Sequence, residues 1–521
     1  MCRSLKKVCA LPINNRFFHQ RIQERNIDPT IPVDLVAAKL KKQHPHLIEK
    51  FGETGLQYTP EEIVEEPRIA KKLLWTLHRS DDQYCKILQN VRDELFKERK
   101  EAFLSISNQD KSHTPVIVFV AMSASFMIVR ESIALRKKGY QTCLLTIHPI
   151  YANLRNQFDE AFDATLDGFE SIESIVDIVK ASKPSAFHIL CCMFEYHLTP
   201  VVIENSGDTS CICEFYDITS PYLSEDKLPL LLPKTDNAQA IVKLDLEMEN
   251  YIFNKADGIV SRLTSDLINK IKKHHDSNLD VLQFNAYPLP QFQAKQTKKY
   301  STETGRYHLV HAGNVHPNTI PKEVSPIGLM AETFKNIIDQ GISIDVLQDP
   351  NRPITETDPD YAHFFELTKS PLFNFRRGVA PNKLAEVLSR YDYGLNLSDF
   401  DPAAAINLKE CMRGGIGTKQ FTYAEASLPC IICAEYEYAT QHLMTHGYGI
   451  AVDEHGRKNM KKHLDEVDYQ ALLKNISSFN RNYNMLDMVD ELIDFYNSTS
   501  LKGKIGLVNK VTYSSTEHQN L

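Results

Sequence analysis

The 521-residue chain carries 59 lysines and arginines against 67 aspartates and glutamates, a formal charge of −8, with 42% hydrophobic and 24% charged residues. Enough apolar material is present to offset chain entropy, which excludes disorder over most of the length, and the mild acidity excludes a general nucleic-acid binder, which needs a broad cationic field. At roughly 100–200 residues per compact unit, the length predicts about three units.

No membrane span is expected, because the most apolar run, 116–129, is shorter than the ~20 residues that cross hydrocarbon and is interrupted by Ser123 and Ser125. The basic N-terminus has too short an apolar run for a secretory signal. Eleven cysteines are scattered, several inside apolar strands (Cys143, Cys191, Cys192, Cys211, Cys213). They read as reduced, buried thiols of a cytoplasmic protein, not as a disulfide framework.

In chain order, proline-rich pieces around Pro29, Pro32, Pro60 and Pro67 lead into a helical pattern over 69–103. Tyr84, Leu88, Val91 and Leu95 form an apolar stripe there, expected to pack on its own domain. From 113 the pattern alternates strand and helix. Strands are predicted at 115–121, 142–147, 162–166, 186–192, 210–216, 258–262 and 281–284. Helices are predicted at 126–138, 171–181, around 201–204, near 244–255 and at 264–275. The β-branched run 115–121 reads as a strand buried on both faces, and such alternation predicts a doubly wound parallel sheet.

A polar stretch over 293–305 reads as an interdomain hinge. The alternation then restarts, with strands at 307–311, 342–347, 373–376, 393–397 and 430–434 and helices at 324–340, 382–391 and 418–427. Helices at 469–479 and 485–496 follow. The expected fold class is therefore α/β, with two Rossmann-like doubly wound parallel-sheet lobes facing a cleft and an N-terminal mainly helical extension. The expected divisions are 1–112 (helical extension), 113–292 (first lobe), 306–480 (second lobe), 481–497 (a last helix) and 498–521 (a flexible tail). Ligands of such sheets bind outside the carboxyl ends of strands.

Several chemistries are disfavoured by missing motifs. Ala121 is followed by Met-Ser-Ala-Ser-Phe and the strand ending at His311 by Ala-Gly-Asn-Val, so neither lobe carries the Gly-x-Gly-x-x-Gly of a dinucleotide site. No P-loop and no His-Glu-x-x-His motif occurs. Cys430 and Cys433 have Cys-x-x-Cys spacing but lie in a predicted buried strand without a second pair, and read as core packing. The most informative stretch runs from Arg413 to Ile431. Gly414, Gly415 and Gly417 permit close backbone approach, Thr418 stands where a helix cap would, and Lys419 adds a cation to that helix N-terminus. These residues suit a diphosphate cradle; a tight turn with a solvated lysine would use the same residues.

Here the chain resembles the donor-binding signature of GT-B-fold glycosyltransferases, with Lys419, Phe421, Tyr423, Ala426, Pro429 and Ile431 in register. The order of weaker pieces agrees: Phe215-Tyr-Asp217, Ala256-Asp257-Gly-Ile-Val, Phe284-Asn285-Ala-Tyr-Pro, and Arg377-Gly378-Val379 followed by Leu384, Leu388 and Tyr391-Asp-Tyr-Gly-Leu. The resemblance, spanning about 114–497, implies a glycosyltransferase of carbohydrate biosynthesis that moves a sugar from a nucleotide-sugar donor, needing neither cofactor nor metal. It implies Asp217 and Lys419 as catalytic residues, and Gly313, Asn314, Arg377, Gly417, Thr418, Lys419, Thr422 and Glu425 against the donor. Arg376 is a further phosphate-side cation, and Ser123, His188 and Glu195 are further acceptor-side groups. It also implies that the last helix crosses back to the first lobe.

Three departures stand out. The family's ribose-contacting glutamate aligns with Thr422, Glu425 follows one turn later, and the expected glycine is Ser427. Two alternatives therefore stay open, a nucleotide-sugar 2-epimerase of the same architecture and a non-catalytic binding or scaffold subunit. The acceptor, whether glycan, lipid-linked or protein, is left open. Residues 1–110 are the expected surface for oligomer assembly or peripheral membrane contact.

Overall fold

The computed structural model describes residues 33–48, 73, 82–109, 114–169, 171–232, 237–295, 297–324, 330–349, 354–397 and 403–502. The proline-rich pieces at 29–32 and 60–67, and the tail from 503, lie outside them.

Two all-parallel sheets form the body. The first is built from β1 (Val116–Ala121), β2 (Gln141–Thr146), β3 (Ala164–Asp167), β4 (Ala186–Cys191), β5 (Ser210–Phe215), β6 (Gly258–Ser261) and β7 (Val281–Gln283), in the order β3-β2-β1-β4-β5-β6-β7. The second is built from β8 (His308–Ala312), β9 (Ser343–Gln348), β10 (Phe373–Arg377), β11 (Tyr393–Asn396), β12 (Cys430–Cys433) and β13 (Gly449–Val452), in the order β10-β9-β8-β11-β12-β13. The same winding thus occurs twice, reversing direction beside the first strand of each sheet. β1, β4, β5, β9 and β12 are buried along their whole length. That is why Val116–Ala121 reads as an unbroken apolar run and not as an alternating one. The architecture is the two-lobed one expected.

Several elements escaped the pattern reading. Helices Ala152–Ala161, Ile406–Arg413 and Glu437–His446 and the strand β13 were not anticipated. Ala152–Ala161 is mostly polar, and β13 contains a glycine. Gly449 is tolerated, and required, because a Cβ there would fall 2.2 Å from the Cys430 carbonyl oxygen across the ladder.

Helices Val33–Gln43 and Asp82–Ser107 pack together around Leu40, Leu88 and Val91. The longer one is fixed to the first lobe by an ion pair of Arg99 with the buried Asp167, which Arg155 also holds at 2.9 Å. The stripe expected to pack within the protein does so at Leu88 and Val91.

The segment 293–305, expected as an interdomain hinge, is fastened to the second lobe. Lys299 Nζ donates to the carbonyls of Ser389 (2.9 Å) and Tyr391 (2.8 Å), the Tyr300 amide donates to the Arg390 carbonyl, and Tyr300 lies under the Arg390 guanidinium. Polar side chains here fasten the chain to the second lobe. The last helix, Met485–Lys502, runs beyond its predicted end and crosses to the first lobe. Phe495 packs on Gly258, where a Cβ would lie 2.6 Å from its ring, and Lys138 pairs with Asp490.

Candidate functional site

The carboxyl ends of the two sheets face one another. Leu263, just after β6, bridges Gly415, and the Thr264 amide donates to the Gly414 carbonyl (2.8 Å). Gln283, at the end of β7, donates to the Tyr438 hydroxyl beyond β12 (2.7 Å). This contact corrects part of the expected cradle. A Cβ at Gly414 would meet Leu267 at 3.0 Å and Thr264 at 3.2 Å, so Gly414 admits the other lobe and not a ligand. Gly417 differs: it is exposed, and a Cβ there would meet nothing within 4 Å.

The helix Lys419–Glu425 organises the site. Its Tyr423 ring lies over Gly394, where a Cβ would fall 2.5 Å from the ring. The Tyr423 hydroxyl accepts from the Ala312 amide (3.1 Å) and donates to the Leu395 carbonyl (2.9 Å). One side chain therefore fixes the ends of β8 and β11, the two strands between which the second sheet reverses direction. The reversal of a doubly wound sheet is where its ligand crevice opens.

Gly313 stands at that point with φ +127°, a left-handed conformation that glycine adopts freely. A Cβ on it would lie 3.1 Å from Lys419 Cε and 3.8 Å from Nζ. Gly313 and Lys419 are thus brought together. Among the described residues no hydrogen bond or ion pair occupies the Lys419 ammonium. Surrounding protein holds its pKa down at about 8, with Cys430 acting weakly the other way. His311 and His316 stand beside it, lowered to about 3 and about 4 by burial first and by the Lys419 charge second. They are neutral near pH 7, so the edge offers one cation and two imidazoles, not three cations.

The remaining expected residues divide. Asn314 is exposed, and its carbonyl accepts from His311 Nε2 at 3.2 Å. Thr418 occupies the N-cap position, but its side chain makes no cap bond. Thr422 turns back to bond the Thr418 carbonyl at 3.3 Å. Arg377 ends the edge strand β10, two strands away from β8, and Arg376 beside it pairs with Asp345 at 3.1 Å. Ser427 adopts φ +51°, the conformation for which the resembling family uses glycine.

Glu425 has a different task from the one the resemblance implied. It is 2% exposed, and Arg130 of the first lobe donates to both its carboxylate oxygens (Nε 2.9 Å, Nη2 2.5 Å) while the Leu289 amide donates to Oε1 (2.9 Å). Those oxygens clamp the two lobes. Nothing in the sequence marks Arg130 as the partner, 295 residues away.

In the first lobe, Asp217 follows β5 and is water-accessible at a densely surrounded spot. Desolvation raises its carboxyl above the ordinary range, with Arg262 opposing. His188 is not an acceptor-side group: it is 1% exposed, with Nδ1 2.6 Å from the Tyr496 hydroxyl and Nε2 3.1 Å from Glu214. Cys430 and Cys433 are fully buried in β12, as the core reading expects, and burial pushes the Cys430 thiol up. A cavity of about 330 Å³ between the lobes is lined by Ser224, Lys227 and residues 404–407, none of them among the expected site residues. No described helix is long and apolar enough to cross a membrane.

Fold and site together define a two-lobed doubly wound α/β protein in which Lys419, at the switch point of the second sheet, has no bonded partner among the described residues. No protein-family model matches the chain, and no curated protein matches it. Among solved structures, it is similar to a variant of the Thermobaculum terrenum O-GlcNAc transferase at 11% identity, covering 90% of this chain and 82% of that one, TM-score 0.47. It is also similar to S. aureus MnaA bound to UDP (8%, 74% and 97%, 0.46) and to a Methanocaldococcus jannaschii UDP-GlcNAc 2-epimerase (10%, 74% and 100%, 0.41). At these scores the likeness assigns neither activity nor substrate.

Proposed function

We propose that this chain is a glycosyltransferase that takes a sugar from a nucleotide-sugar donor and holds the departing diphosphate at Gly313 and Lys419. The single observation that carries this reading is the Lys419 ammonium, poised without an anionic partner among the described residues against the left-handed Gly313 where the second sheet reverses. Negative charge grows on the leaving diphosphate as the glycosidic bond breaks, and a preorganised cation in a partly desolvated site stabilises that charge more than water does. His311 and His316, being neutral, serve to shape the pocket. The helix behind Lys419 is only seven residues long, so the lysine charge and close backbone approach at Gly313 and Gly417 carry the binding. Asp217, with its raised carboxyl at the facing strand end, is assigned as the base that deprotonates an acceptor hydroxyl.

The test is calorimetric titration of the full chain with UDP and GDP. The reading expects measurable binding of at least one, lost by at least tenfold in Lys419→Ala with folding intact. Equal affinity in that variant would remove the phosphate site.

A second reading has its own observation. Thr422 stands where the resembling family places a carboxylate, and Glu425, the nearest substitute, is held by Arg130. A subunit that binds the nucleotide without turning it over would show this pattern. Product analysis with a panel of nucleotide sugars separates the two, and also detects 2-epimerisation when no acceptor is supplied.

A further inference from the structure

On the face of the first sheet covered by helix Phe126–Lys137 and the C-terminal helix, three ligand-type side chains converge away from the proposed donor site. His188 in β4 pairs in register with Ile212, two residues before Glu214 in β5, so the side-chain period of two places His188 and Glu214 on one face. Glu131 descends on them from the helix. Each of the three is 1% exposed. His188 Nε2 lies 3.1 Å from Glu214 Oε2 and 3.9 Å from Glu131 Oε2, and one ligand atom from each residue lies within 4.8 Å of the others.

Two features fit a cation between them. Glu131 Oε2 is buried, aimed into the cluster, and has no hydrogen-bond partner among the described residues. The Tyr496 hydroxyl, 2.6 Å from His188 Nδ1, is placed to accept a hydrogen bond from Nδ1–H, the tautomer that turns the Nε2 lone pair toward the two carboxyl groups. A single proton on Nε2 serves Glu214 at 3.1 Å but leaves Glu131 at 3.9 Å, beyond hydrogen-bond reach. A divalent cation serves all three at once. Arg262 donates to Glu214 Oε1 at 2.9 Å, which leaves Glu214 Oε2 and Glu131 Oε2 facing the imidazole.

We propose that Glu131, His188 and Glu214 bind one first-row divalent cation, with zinc best matched to an imidazole nitrogen and two carboxylate oxygens plus a water. Zinc ligands at 2.0–2.2 Å stand about 3.4 Å apart in a tetrahedron, so binding draws the widest pair together by up to about 1.4 Å, within the range of carboxylate rotation. The Tyr496 contact supplies the outer-shell partner that ligating histidines have, and makes the crossing helix a sensor of occupancy. The ion cross-links a helix and two strands of one lobe. This inference does not depend on the transfer reading.

The experiment strips the full chain with a chelator, dialyses it, and titrates it with zinc and with cobalt, reading ions per chain by elemental mass spectrometry alongside melting temperature. We expect one ion per chain, a raised melting temperature, and a cobalt spectrum of a four-coordinate nitrogen and oxygen site. Affinity should drop at least tenfold in Glu131→Gln and in His188→Gln. Tyr496→Phe, outside the ligand set, keeps a readout if either of those misfolds, and should weaken binding several-fold. The proposal is overturned by no retained zinc or cobalt and no thermal shift. It is equally overturned by cobalt-to-sulfur charge transfer, or by an affinity unchanged in the variants.

Discussion

Lys419 and Glu425 open and close the same seven-residue helix, and the structure treats them in opposite ways. Glu425 is clamped on both oxygens by Arg130 and on one by the Leu289 amide. Among the described residues Lys419 has no anion, and its pKa is depressed to about 8. The contrast separates anchoring from binding: the carboxyl end joins the helix to the other lobe, which leaves the amino end and its charge available. A residue's alignment with a family motif gave the same weight to both; only its surroundings distinguish them.

The largest expected effect breaks the anchored end. Glu425→Ala leaves the Arg130 guanidinium buried and uncompensated, and should cost about 3–5 kcal/mol of stability in denaturant unfolding. Adding Arg130→Met should recover part of that loss, since it removes the buried uncompensated guanidinium.

At the free end, Lys419→Ala should lose about 1.5–3 kcal/mol of nucleoside diphosphate binding, the range of a charge-assisted hydrogen bond. Its melting temperature should hold or rise. The reason is one of sign: the folded-state pKa of about 8 lies below the ordinary 10.5, so the buried ammonium weighs against folding at low pH and that penalty relaxes as pH rises through about 8. A stability loss as large as that of Glu425→Ala would erase the distinction between the two ends.

The same value predicts the pH course of binding. The ammonium is present below about pH 8 and lost above it, so diphosphate affinity should fall by up to about tenfold between pH 7 and 9. His311 and His316, titrating at about 3 and about 4, and the raised Cys430 thiol contribute nothing in that window. Affinity flat over this range would mean that the lysine does not meet the anion.

The smallest effect concerns the side chain that supports the free end. Tyr423→Phe removes the hydroxyl joining the Ala312 amide to the Leu395 carbonyl, and should cost about 1 kcal/mol of stability with a few-fold loss of binding. Stability lost without any change in binding would show that Tyr423 supports the sheet but not Gly313.

Much of this protein was legible from residue order. Val116–Ala121 is apolar throughout and Ser210–Phe215 largely so, because both faces of a parallel strand are covered, so strand positions and the repeated winding follow from local pattern. Gly313 and Lys419 were also readable, because a glycine after a strand and a lysine opening a helix are local signals. The polar stretch 293–305 misled: lysine, serine and threonine look alike in a mobile hinge and in one tied down by hydrogen bonds to a neighbouring lobe.

By itself the sequence determined two doubly wound lobes and a cation-bearing turn in the second, since short-range periodicity and turn chemistry act over a few residues. Tertiary structure decided that Gly414 receives the other lobe, that Glu425 answers to Arg130, and that His188 meets Glu131, Glu214 and Tyr496 in the interior. Those outcomes join residues up to hundreds of positions apart, where side-chain geometry and desolvation govern the pairing and no local pattern records it.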